Sequence, residues 1–118
     1  MFGFKRQTAP ALPVQDAIAR VAAGDMVLID VRDHGEVERS GRAKGALHIP
    51  LMRLPMMADP RHPDFDKRLS GAKPIALYCA SGARSGMAMN ILKKLGYGEM
   101  HNLGGLHHWA AAGGAVTR

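Results

Sequence analysis

Hydrophobic positions in this chain follow two rhythms that alternate. Val14, Ala17, Ile18, Val21 and Ala22 recur at three- and four-residue spacing, which predicts an amphipathic helix within Val14–Asp25, with Gly24 as its stop. Met26–Arg32, MVLIDVR, is a continuous apolar run rich in β-branched residues, the pattern of a buried strand. Asp33 is placed to cap a short helix reaching about Arg39. SGRAKG then reads as a loop, and ALHIP as a second short strand closed by Pro50. The rhythm fails over residues 51–73, where prolines at 55, 60 and 63 leave short helical turns and loops. Ile75–Cys79, IALYC, is a third buried strand. Arg84–Gly96 is a helix with Met87, Ile91, Leu92 and Leu95 on one face. Glu99–Leu103 is a last strand, and GGLHHWAAAGG a short helix between glycine pairs. Residues 1–13, broken by Pro10 and Pro13, read as an extended N-terminal arm with at most a short edge strand. Residues 14–118 read as one domain.

Strands alternating with helices predict an α/β fold: a small parallel sheet of four to five strands, with helices on both faces and right-handed crossovers. Such sheets bind ligands at the carboxyl ends of their strands. Cys79 is the last residue of a predicted strand, so this topology places the chain's only cysteine on the functional edge.

At 118 residues the chain suits one domain and can bury a core without disulfides or a structural metal. A single cysteine forms no internal disulfide, and a cytoplasmic, reducing location is the simpler expectation. No apolar run approaches the roughly 18 residues that span a membrane, and MFGFKRQTAPALP lacks the apolar core of a signal peptide. The formal net charge is +6, but the basic residues are scattered and aromatics make up only 5%. Without a basic stripe or a stacking platform, nucleic acid is not expected as a partner, and a small anion is. His107 and His108 are adjacent and diverge by about 100° on a helix; His48, His62 and His101 have no ligand spacing. No metal is expected.

Candidate chemistry concentrates in CASGARS. Ala80, Ser81, Gly82 and Ala83 let the backbone curl tightly and turn its N–H groups inward as an anion nest. The helix that follows adds its free amides and the positive end of its dipole. Arg84 pushes in the same direction. Together these would stabilise a thiolate and make it nucleophilic near neutral pH. A lone cysteine at a strand end is more often a small core residue; the loop, arginine and helix together outweigh that reading.

Here the chain resembles the single-domain rhodaneses, a sulfurtransferase family, over about residues 14–114. LIDVRDHGEVERSGRAKGALHIP resembles the family's first signature, DVR with a downstream acidic position and then GA.HIP. IALYCASGARSGMAMNILKKLGYGEMHNLGGLHHWAAAGG resembles its active-site strand, loop and helix, then the NL.GG...W...G ending. The resemblance implies that Cys79 takes a sulfane sulfur from a donor such as thiosulfate, holds it as a persulfide and yields it to cyanide, a thiol or a sulfur-accepting protein. The loop from Ala80 through Ser81, Gly82, Ala83 and Arg84 to Ser85 would stabilise the sulfur's charge, with Arg84 helping to hold an anionic donor. No metal or organic cofactor is required.

Asp30 and Arg32 match the DVR signature; a charge pair that fixes loops is the favoured reading, ahead of a part in the active loop. Glu36 sits near the acidic position. Arg42 stands where the family often has histidine and carries no catalytic inference. Trp109 is expected to pack the last helix onto the sheet, and Met52, Met56 and Met57 are core filler sooner than a binding surface. A related fold, that of the dual-specificity phosphatases acting on cyclin-dependent kinases, uses Cys-x5-Arg; here Cys79 and Arg84 give Cys-x4-Arg, a smaller loop suited to sulfur substrates. A persulfide relay with little turnover is the alternative function. An inactive regulatory domain is disfavoured by the intact cysteine and loop.

Overall fold

The structure, a computed structural model, describes residues 11–71 and 73–118. Residues 1–10 of the expected arm lie outside the described residues. Helix α1, Val14–Ala22, starts after Pro13 and is followed by Gly24 at φ +79°, a conformation that ends the helix at little cost only for glycine. Strand β1 is Val27–Asp30, followed by helix α2, His34–Ser40, with Asp33 at its N-cap. The short strands β2, Arg42–Ala43, and β3, Leu47–His48, precede helix α3, Leu54–Met57. Strand β4 is Ile75–Cys79, helix α4 Ala83–Lys94, strand β5 Met100–Gly105, helix α5 Leu106–Ala111 and strand β6 Val116–Thr117.

Four strands form a parallel sheet in the order β3-β1-β4-β5, with Ile29 level with both Leu47 and Leu77. All five residues of β4 are buried, as a strand covered on both faces requires. Its side chains alternate between two cores. Ile75, Leu77 and Cys79 join Ile29, Val31, Ile49, Ala88 and Leu92 on the side covered by α3 and α4. Ala76 and Tyr78 join Ala17, Leu28, Leu103 and Trp109 under α1 and α5. The expected α/β architecture, with helices on both faces, is the one observed.

The structure corrects the expected pattern in two places. SGRAKG is not wholly loop: Arg42 and Ala43 pair antiparallel with Thr117 and Val116 in a second, two-stranded sheet. Two-residue strands carry no period that a sequence pattern can register. On α4, Met87 is half exposed, whereas Ser85, Ala88 and Leu92 are buried. The buried stripe is set by these small residues, which allow the helix to lie close to the sheet. Met87 falls about 100° round the helix from Ala88.

Pairing between β4 and β5 shifts register between Leu77↔Asn102 and Cys79↔Gly105. The extra residue bulges β5, and it does so beside the end of β4 where the cysteine sits.

Candidate active site

Burial and hydrogen bonding act on the Cys79 thiol in opposite directions. The residue is 1% exposed. Burial pushes its pKa up. The Ser85 hydroxyl and the amides of Ser85, Gly82 and Ser81 push it down by hydrogen-bonding the thiolate, and the outcome is a thiol lowered to about 7. The Gly82 N–H donates to Sγ at 3.0 Å, and Ser85 Oγ lies 3.5 Å from it. A thiol at this value is about half thiolate at neutral pH.

The loop owes its curl to Gly82, which has φ +105° at the N-cap of α4. A side chain there would be strained by that backbone conformation. Asn102, on the bulged part of β5, holds the turn from the other side. Its amide nitrogen donates to Gly82 O at 2.8 Å, while its oxygen accepts from Ser85 Oγ at 2.7 Å and Gly104 N at 3.0 Å. Asn102 belongs to the NL.GG ending, but the sequence pattern gave it no role. An Asn-x-Gly turn signal was present; the bulge that brings it to the cysteine was not legible.

Arg84 does not reach freely into the loop. Its two terminal nitrogens donate to Glu36 Oε1 at 2.6 Å and Oε2 at 2.9 Å. Glu36 Oε1 also accepts from the Asp33 N–H at 3.0 Å, so one carboxylate ties the start of α2 to the start of α4. The Arg84 guanidinium holds the Glu36 carboxyl down at about 2, and Arg84 in turn is raised, first by Glu36 and then also by the Cys79 thiolate and Asp33.

Asp30 and Arg32 are buried. Asp30 accepts from the Arg32 backbone N–H at 2.9 Å, from its Nε at 3.1 Å and a terminal nitrogen at 2.8 Å, and from Tyr78 OH at 2.7 Å. Arg32 also donates to Ser40 Oγ and Gly41 O, both at 2.6 Å. Tyr78 OH accepts from the Ala43 N–H at 2.9 Å. These bonds join the end of β1 to β4, to the end of α2 and, through Tyr78, to β2. Ala80, Ser81 and Ala83 are exposed around the mouth. A separate hollow lined by Phe65, Leu69, Lys73 and Tyr97 lies at the opposite end of the sheet, away from the thiol.

A family model described as the rhodanese-like domain matches residues 13–112. An uncharacterized protein of Bacillus subtilis, YqhL, is 40% identical over 83 residues, which are 70% of this chain and 59% of that protein. The chain thus spans about three fifths of that relative's length. A sulfurtransferase of Allochromatium vinosum is 34% identical over 90 residues, covering 75% of this chain and 76% of its own. Among solved structures, a protein of unknown function, possible tyrosine phosphatase, from Rhodopseudomonas palustris superposes with TM-score 0.80 at 33% identity, over 91% of this chain and 83% of that one. Among the described residues, no helix is long and apolar enough to cross a membrane.

Proposed function

The chain belongs to the rhodanese-like domain family, and on that footing we propose that it is a sulfurtransferase working through a Cys79 persulfide. The observation that carries this reading is the buried Cys79 thiol cradled by its own loop, with the Gly82 N–H 3.0 Å and the Ser85 hydroxyl 3.5 Å from Sγ. The Cys79 thiolate attacks the outer sulfur of a donor such as thiosulfate. A new S–S bond forms, the donor's S–S bond breaks, and sulfite leaves with the bonding pair. The outer sulfur of the persulfide carries the anionic charge, which the amides of Ser81, Gly82 and Ser85, directed at Sγ in the free thiol, would stabilise. Cyanide, a thiol or a protein thiol then removes that sulfur and regenerates the Cys79 thiolate. The cytoplasm is the location proposed for this cycle, since its reducing conditions keep a lone thiol available.

Phosphate-monoester chemistry is disfavoured. Four residues, not five, separate Cys79 from Arg84, and Arg84 is already held by a carboxylate. The deciding experiment is the intact mass of reduced protein before and after thiosulfate, with cyanide added last. A gain of one sulfur, removed by cyanide and absent from Cys79→Ser, is the expected result. Hydrolysis of p-nitrophenyl phosphate without any sulfur gain would replace this reading with the phosphatase one.

A further inference from the structure

The chain as a whole is basic, but the arginine of the Cys79 loop is paired with a carboxylate. The protein carries +6, and Arg84 is matched by Glu36. Asp33 adds a further carboxylate within electrostatic reach of Arg84. The Arg84–Glu36 pair therefore adds no net positive charge beside the thiolate. A thiosulfate ion approaches this mouth with two negative charges, and the nucleophile it meets is itself an anion. Only the loop's amide dipoles are left to offset the repulsion.

Taking the persulfide reading above as its basis, we infer that Glu36 is a specificity-determining residue. By pinning and neutralising Arg84 it turns the site towards low-charge sulfane-sulfur donors, the organic persulfides, and away from the thiosulfate dianion. The Glu36–Arg84 pair is bidentate and only partly exposed, so the arginine is not released to a passing anion without breaking two short charge-assisted bonds. An organic persulfide brings one negative charge. The Cys79 thiolate takes its outer sulfur, the donor's S–S bond breaks, and the departing thiolate collects a proton from water. Nothing in that step needs a free cation.

The test compares wild type with Glu36→Gln, which keeps an oxygen acceptor for Arg84 and the Asp33 amide but removes the charge. Persulfide formation on Cys79 is timed by intact mass at pH 8, with thiosulfate and with the persulfide of 2-mercaptoethanol as donors. Coulomb's law at contact distances predicts that Glu36→Gln speeds loading from thiosulfate about tenfold and from the persulfide about threefold at low ionic strength. Both gains shrink in salt because the Glu36–Arg84 pair is partly exposed to solvent. A change in thiol reactivity alters both rates alike, so the ratio of the two gains reads the charge effect alone. Arg84→Gln, which leaves Glu36 unopposed, is expected to move that ratio the other way. A ratio unchanged in both variants overturns this inference and leaves the persulfide reading standing. Failure of wild type to load from either donor overturns both.

Discussion

The Ser85 hydroxyl carries one proton and lies within reach of three acceptors, Cys79 Sγ at 3.5 Å, Gly82 O at 3.2 Å and Asn102 Oδ1 at 2.7 Å. With Cys79 protonated, S–H donates to Ser85 Oγ and the hydroxyl donates to Asn102. With Cys79 ionised, the hydroxyl turns to the sulfur, and Asn102 Oδ1 keeps the Gly104 N–H. The serine is thereby a positioning residue whose removal favours the thiol. Ser85→Ala is expected to raise the Cys79 pKa from about 7 towards the ordinary ~8.5. Alkylation by iodoacetamide at pH 7 then slows roughly three- to tenfold and converges with wild type above about pH 9. An unchanged pH profile would show that the amides alone stabilise the thiolate. Cysteine, small-residue loop and Ser85 were legible because they adjoin in sequence. Asn102 was not, because its place follows from a bulge seventeen residues further on. Glu36 was noticed only as an acidic position, since a contact between two helix starts leaves no local trace.

At the scale of elements, the loop stands where it does because β1 and β4 are fixed to what surrounds them. Asp30 at the end of β1 holds Arg32 and Tyr78; Arg32 holds the end of α2, and Tyr78 holds the β2 amide of Ala43. Asp30→Asn keeps the shape but leaves the buried guanidinium of Arg32 without its counter-charge. Breaking a buried pair from one side costs about 3 kcal/mol or more. Chemical denaturation is expected to show that loss, with a denaturant slope close to wild type. A loss below about 1 kcal/mol would mean that water or rearrangement replaces the carboxylate. Strand β4 was legible to the residue, because five apolar residues bounded by Pro74 and the small-residue loop admit little else. The β2–β6 pair was not, since its stability comes from partners seventy-odd residues apart and from Trp109 Nε1 donating to Ala115 O beside it. The face of α4 was misread at Met87 because a stripe of Ser85 and Ala88 is buried for closeness of approach, a quality that hydrophobicity does not record.

For the whole molecule, a lowered thiol pKa is also a statement about stability. The native thiol titrates at about 7 and an unfolded one at about 8.5. Below pH 7 both states hold the proton, and the group contributes nothing. Between these values the unfolded state holds more protons than the native one, so stability rises with pH. Above about pH 9 the full contribution is present, about 2 kcal/mol from a difference of about 1.5 pKa units. This is a depressed acid: its contribution disappears as pH falls through the native value. Other titrating groups change stability over the same range, but Cys79→Ser retains them all. The difference in unfolding free energy between wild type and Cys79→Ser, measured in urea under reducing conditions, is therefore expected to grow by about 2 kcal/mol from pH 6 to pH 9. Half of that growth should lie below about pH 8. A difference that stays flat across the range would place the native pKa at its unfolded value. The loop amides would then be compensating for burial and no more, and the nucleophile would have to be generated by the arriving donor.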